Sequence, residues 1–80
     1  MRAPNHSNAL RDLGALYIQT GTEAKARAVL ERAAALNPED AETHFQLSRL
    51  YNLIGESKLA RQHLGLFQKL KGQREKLSQP

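Results

Sequence analysis

The side chains able to do chemistry in this chain are few and scattered. The imidazoles are His6, His44 and His63. A metal site needs three or four converging ligands. None of these histidines has a Cys, Asp or Glu one helical turn away with a third ligand in view. They read as solvated or packing residues, and no metal or cofactor is expected. Ser7, Ser48, Ser57 and Ser78 lack the context of a nucleophile elbow. The glycines are single, so no loop is built to cradle phosphate. The one carboxylate pair, Glu39-Asp40, reads as a charged helix start favoured by the macrodipole. No Cys is present, which excludes disulfides and thiolate metal sites. These residues predict a protein that is not an enzyme.

The remaining chemistry is charge. The net charge is +4, and it is unevenly placed. Residues 1–40 hold five Lys/Arg and five Asp/Glu, while residues 41–80 hold seven against three. Lys69, Lys71, Arg74 and Lys76 concentrate the excess near the end of the chain. Their spacings of two, three and two spread them around a helix, and no aromatic interleaves with them. Base stacking is therefore not supported, and the sequence argues against nucleic acid. A solvated basic tail over residues 75–80 is the simpler reading, with contact to acidic membrane as the weaker one.

These groups must be held by helices. Val occurs once, Ile twice, and no stretch alternates cleanly between apolar and polar residues. Ala and Leu, strong helix formers, dominate. After a tail over residues 1–6, the first helix is expected over about Ser7 to Thr20, with Ser7 as its N-cap. Leu10, Leu13, Leu16 and Tyr17 share one face, and Gly21 closes it. Thr22 is expected to cap a second helix over Glu23 to Leu36, striped by Ala26, Leu30 and Ala33. Asn37-Pro38 stops that helix, because proline lacks the amide and disfavours helical geometry before it. Asp40 is the next N-cap. The third helix runs over about Ala41 to Ile54, with Leu47, Leu50 and Tyr51 inward, and ends at Gly55. The fourth starts near Glu56 or Ser57 and carries Ala60, Leu64, Phe67 and Leu70 on its face. It stops near Gly72 or runs on towards Leu77. Gly65 weakens it by up to ~1 kcal/mol relative to Ala, or else allows close backbone approach.

The halves repeat. Shifted by 34 residues, Leu13, Leu16, Tyr17, Gly21, Ala26, Arg27, Leu30 and Leu36 fall on Leu47, Leu50, Tyr51, Gly55, Ala60, Arg61, Leu64 and Leu70. Seven of these eight identities are at helix-face or turn positions. A fixed period of this length marks stacked supersecondary units.

On these residues the chain resembles the tetratricopeptide repeat family. The first unit, 7–40, carries Leu13-Gly14, Tyr17, Gly21, Ala26, Leu30, Ala33 and Pro38 at the offsets of that pattern. The second, 41–74, carries Leu47, Tyr51, Gly55, Ala60 and Leu64. It departs at Ser48, Phe67 and Gly72, as an end unit often does. Leu10 and His44 stand where Trp is often found. The resemblance covers 68 of the 80 residues. It implies an all-α fold of two stacked antiparallel helix-turn-helix hairpins, a fragment of a right-handed α-solenoid. Gly14, or Ser48, then lets the partner helix approach closely. Tyr17 and Tyr51 bury a ring and offer a hydroxyl to a polar neighbour.

The resemblance also implies a function: a non-catalytic module that binds a protein or peptide in a groove lined by its first and third helices. Carried over by position, the groove residues are Asn8, Arg11, Ala15, Ile18 and Gln19, then Glu42, Phe45, Arg49, Asn52 and Leu53. Arg11, Arg49 and Asn52 would supply donors for a carboxylate or a peptide backbone. Ile18 and Phe45 would supply apolar contacts, or else pack against a neighbouring repeat or a second copy. Some relatives clamp the C-terminal carboxylate of chaperones with Lys and Asn over three units. Here Arg11 stands for the Lys, Ala15 replaces the Asn, Gln46 stands where another Asn is expected, and no third unit follows. The pattern argues against that clamp.

Stacked units bury their faces only on neighbours, and about three are usually needed. Leu10 and Leu16 at the front, and Leu66, Phe67 and Leu70 at the back, are expected to leave apolar surface exposed. The alternative function is therefore self-association, with the repeat ends pairing as a homo-oligomer. No apolar run approaches the ~20 residues that span a bilayer. The first ten residues lack a signal-peptide core, so a complete chain is expected to be soluble and cytoplasmic rather than exported.

Overall fold

A computed structural model describes the backbone of residues 6–78 and the side chains of residues 6–73. It contains four helices: α1 (His6–Gln19), α2 (Glu23–Leu36), α3 (Ala41–Leu53) and α4 (Ser57–Ser78). α1 pairs with α2 and α3 with α4, while α3 also lies against both α1 and α2. The result is two helical hairpins joined through α3, the all-α hairpin stack expected from the 34-residue period.

The two hairpin turns are the same device used twice. At the first, the Thr22 amide donates to the Tyr17 carbonyl at 2.8 Å and the Gly21 amide to Ile18 at 3.2 Å. At the second, Glu56 donates to Tyr51 at 2.7 Å and Gly55 to Asn52 at 3.3 Å. This Schellman pattern needs a left-handed residue, and Gly21 and Gly55 supply it with φ of 77° and 83°. The seam between hairpins is different. The Asn37 amide closes α2 on Ala33 at 2.9 Å. The Asp40 carboxylate then accepts from the Glu42 amide at 3.2 Å and so caps α3.

Several local expectations are corrected. Ser7 is not an N-cap, because α1 already begins at His6 and Ser7 lies inside it. Thr22 precedes α2 but makes no side-chain cap bond. Its hydroxyl pairs with that of Thr20 at 3.1 Å. His6 belongs to the first helix, not to a tail, and residues 1–5 of the expected tail lie outside the described residues. Of the two ends expected for α4 the longer is found: it passes through Gly72 and continues to Ser78. Gly72 can stay helical there, since a single exposed glycine costs only ~1 kcal/mol.

One core joins both hairpins. It holds Ile18, Ala26, Leu30, Leu47, Leu50, Tyr51 and Ala60, with Tyr17, Ala34, Ile54 and Leu59 packed against it. Gly14 is buried, and a Cβ there would collide with the Leu30 side chain. The expected close approach in the first hairpin is real. Gly65 serves no such purpose, since nothing lies within 4 Å of where its Cβ would be.

The two units differ most in what covers them. Leu50 is 0% exposed, whereas Leu16, its counterpart, is 51% exposed. Leu30 is 0% exposed and Leu64 is 37% exposed. At these two positions the copy facing the other hairpin is sealed and the copy at the open end is not, while Ala26 and Ala60 are buried in both units. Leu16 is open at the front, as expected, and Leu64 is open at the back.

Candidate partner-binding surface

The residues expected to line a groove come from α1 and α3, and the structure sorts them into two kinds. Three are committed to holding the fold. Ile18 is 7% exposed and belongs to the core. This corrects its placement on the groove surface: α3 lies against α1, and an apolar side chain on that flank is enclosed. Asn52, one period later, is exposed.

Arg11 is a strut across the seam. Its Nη1 donates to Asp40 at 2.9 Å and to Asn8 at 3.3 Å, and its Nε and Nη2 donate to Asp12 at 3.3 Å. Burial works against its charge, but the hydrogen bond and charge of Asp40 outweigh it and raise the pKa further. Asp40 thus holds three groups at once: the Glu42 amide, the Arg11 guanidinium and the Thr43 hydroxyl, which donates at 3.0 Å. The third committed residue, Phe45, packs within its own hairpin. Its ring meets Phe67 of α4 with centroids 5.0 Å apart and planes tilted by 42°. Lys71 lies over the other ring of this pair at 5.6 Å.

The other groove residues remain available. Arg49 is exposed, and its guanidinium donates to Gln46 at 3.1 Å. Asn52 is exposed beside it, and Leu53 is 57% exposed. Arg49, Asn52 and Leu53 are spaced by three and one, so they share a face of α3. On α1, Gln19 is exposed, while Asn8 and Ala15 are half-buried. The fully exposed residues of this expected set therefore lie mainly on α3.

Two clusters went unread in the sequence. In the first, the Tyr51 hydroxyl donates to Glu31 at 2.7 Å, and Arg27 Nε donates to the same oxygen at 2.9 Å. The Arg27 guanidinium also lies 5.6 Å from the Tyr51 ring centroid. The Tyr51 bond, then Arg27, holds the Glu31 carboxyl below its ordinary value. Burial, then the Glu31 bond, pushes the Tyr51 phenol up to about 12. The hydroxyl partner expected for Tyr51 is thus a carboxylate on the preceding unit. In the second cluster, His44 and His63 meet with their Nδ1 atoms 2.9 Å apart. His44 is buried, and its Nε2 lies 2.8 Å from the Pro38 carbonyl. His44 and His63 are 19 residues apart, so only the pairing of α3 with α4 unites them.

Among the described residues, no three His, Asp or Glu side chains gather as a metal site. None of the described helices is long and apolar enough to cross a membrane. Lys69 and Lys71 of the basic end are exposed, and the side chains of Arg74 and Lys76 lie outside the described residues. An open depression of about 280 Å³ lies at the front of the first hairpin, lined by His6, Ala9, Leu10, Arg32 and Leu36.

The sequence model of the tetratricopeptide repeat family matches residues 7–50, more than half of the chain. No curated protein and no solved structure matches.

Proposed function

The chain belongs to the tetratricopeptide repeat family, and from that premise we propose that it binds a peptide or helix across the exposed face of α3. Repeats of this family mediate protein–protein contact and are generally non-catalytic. The observation that carries the finer reading is the set Arg49, Asn52 and Leu53. An exposed guanidinium and an amide stand beside a leucine that is 57% exposed. Guanidinium and carboxylate form strong charge-assisted bonds, and a bare leucine next to them offers an apolar contact. The partner segment accordingly pairs an acidic residue with an apolar one. Asn8, Ala15 and Gln19 of α1 form the far side of this surface.

Panning a random peptide library against the immobilised chain tests the reading. Selected peptides should be enriched in Asp or Glu next to an apolar residue, and Arg49→Glu should abolish their capture while leaving the chain's mass unchanged. Peptides that bind Arg49→Glu and Asn52→Ala as well as the original chain would refute it.

A second reading, pairing of the repeat ends, is favoured by the contrast between Leu16 at 51% exposure and Leu50 at 0%. The two occupy the same place in their units, and only the second is covered. Sedimentation of the chain at high micromolar concentration should then show an oligomer that Leu16→Glu dissolves. A stable monomer overturns this reading and leaves the first intact.

A further inference from the structure

We propose that His44 and His63 form a proton-sensitive latch between α3 and α4, which accommodates one added proton and is forced open by a second. The Pro38 carbonyl can only accept. The His44 Nε2 atom 2.8 Å away must therefore carry a hydrogen. In neutral His44 the Nδ1 atom is then bare. His63 Nδ1 lies 2.9 Å from it and must be the donor. Neutral His63 is thus held with its proton on Nδ1 and its Nε2 free.

Protons can now be counted. A first added proton goes to His63 Nε2 and leaves the Nδ1–H···Nδ1 bond in place. A second has only His44 Nδ1 left, and two N–H groups would then point at each other across 2.9 Å. The rings must separate. His63 stacks on His44 at 5.1 Å and on Tyr51 at 5.5 Å, so its departure strips both contacts from α4. Phe45 and Phe67 lie close by on the same two helices, and their shared face loosens with it.

The groups facing the pair come from two helices and the seam. α2 contributes Glu31 and Arg27 through Tyr51, α3 contributes Tyr51, and the seam contributes the Pro38 carbonyl. Burial, followed by the charge of His44, lowers the His63 pKa, and Glu31 opposes them. A base whose folded value lies below its unfolded 6.5 stabilises the fold fully above that value. The contribution is lost as pH falls through the folded value.

Nitrogen-15 imidazole spectra of the full chain, recorded from pH 8 to pH 4, test the latch directly. The expected result is His44 as the Nε2–H tautomer and His63 as the less common Nδ1–H tautomer. The His63 signals should move in two linked steps. Neutral His63 with its proton on Nε2, or a single-step titration of His63, overturns the proposal. Thermal melting gives a second readout. The original chain should lose stability between pH 7 and pH 5, and His63→Gln should lose less than half as much. Equal losses would overturn the proposal even if both proteins fold well.

Discussion

Removing one oxygen atom from the seam between the hairpins has a calculable effect. In Tyr51→Phe the ring still fills the core, where Tyr51 is 4% exposed. Only the 2.7 Å bond from its hydroxyl to Glu31 is lost. A hydrogen bond to a charged group contributes about 1.5–3 kcal/mol. The Glu31 side chain is 48% exposed and keeps Arg27 at 2.9 Å, so its carboxylate is not stranded. Solvent screening therefore puts the cost at or just below the lower limit, about 1–1.5 kcal/mol. For a domain of this size, each kcal/mol lowers Tm by roughly 4–8 °C. Urea unfolding followed by circular dichroism at helix wavelengths measures the difference directly.

The sign of the pH dependence follows from the two partners. Glu31 is depressed below 4.5, chiefly by Tyr51. Its contribution is present above pH 4.5 and disappears as pH falls through its folded value. Tyr51 is raised from 10 to about 12, so its contribution is present below pH 10 and disappears as pH rises through 12. The gap between the two proteins should therefore be widest between those limits and should close towards pH 3. A gap at pH 7 within experimental error of zero, or one unchanged at pH 3, would refute the reasoning.

The two helical glycines should respond oppositely to the same change. Gly14→Ala drives a methyl into Leu30, which is fully buried, and should destabilise by about 1–3 kcal/mol. Gly65→Ala meets nothing within 4 Å and should stabilise by up to ~1 kcal/mol; urea midpoints decide both. Asp40→Ala removes the α3 cap and the Arg11 pair together. It should cost about 1–2 kcal/mol, with amide exchange rising first at Glu42 and Thr43.

Much of the fold was legible because its signals are local. Gly21 and Gly55 stand where a left-handed residue is required, and Pro38 stands where the second helix must stop. α2 was read to its ends, Glu23–Leu36, because a turn glycine and a proline bracket it. The cap at Asp40 was legible for the same reason. Thr22 looked like a cap by the same rule, but its hydroxyl found Thr20 instead, a competition between neighbours that propensity does not resolve.

The candidate surface was less legible. Arg11, Ile18 and Phe45 were placed correctly on their helices, yet what occupies the space beside each depends on a different element. Arg11 is taken by Asp40, Ile18 is enclosed in the core, and Phe45 meets Phe67.

The sequence by itself determined the repeat, the four helices, their turns and the family, because the 3.6-residue period and turn chemistry act over a few neighbouring residues. Tertiary structure decided how far the copies of a repeated leucine differ in burial, while Ala26 and Ala60 stay buried in both units. Leu16 and Leu50 are the same residue at the same place in the unit, and one is open while the other is sealed. Burial is set by the number of hairpins stacked on a face, and no local pattern encodes that number. The axial register of α3 against α4 likewise decided that His44 and His63 share a proton site.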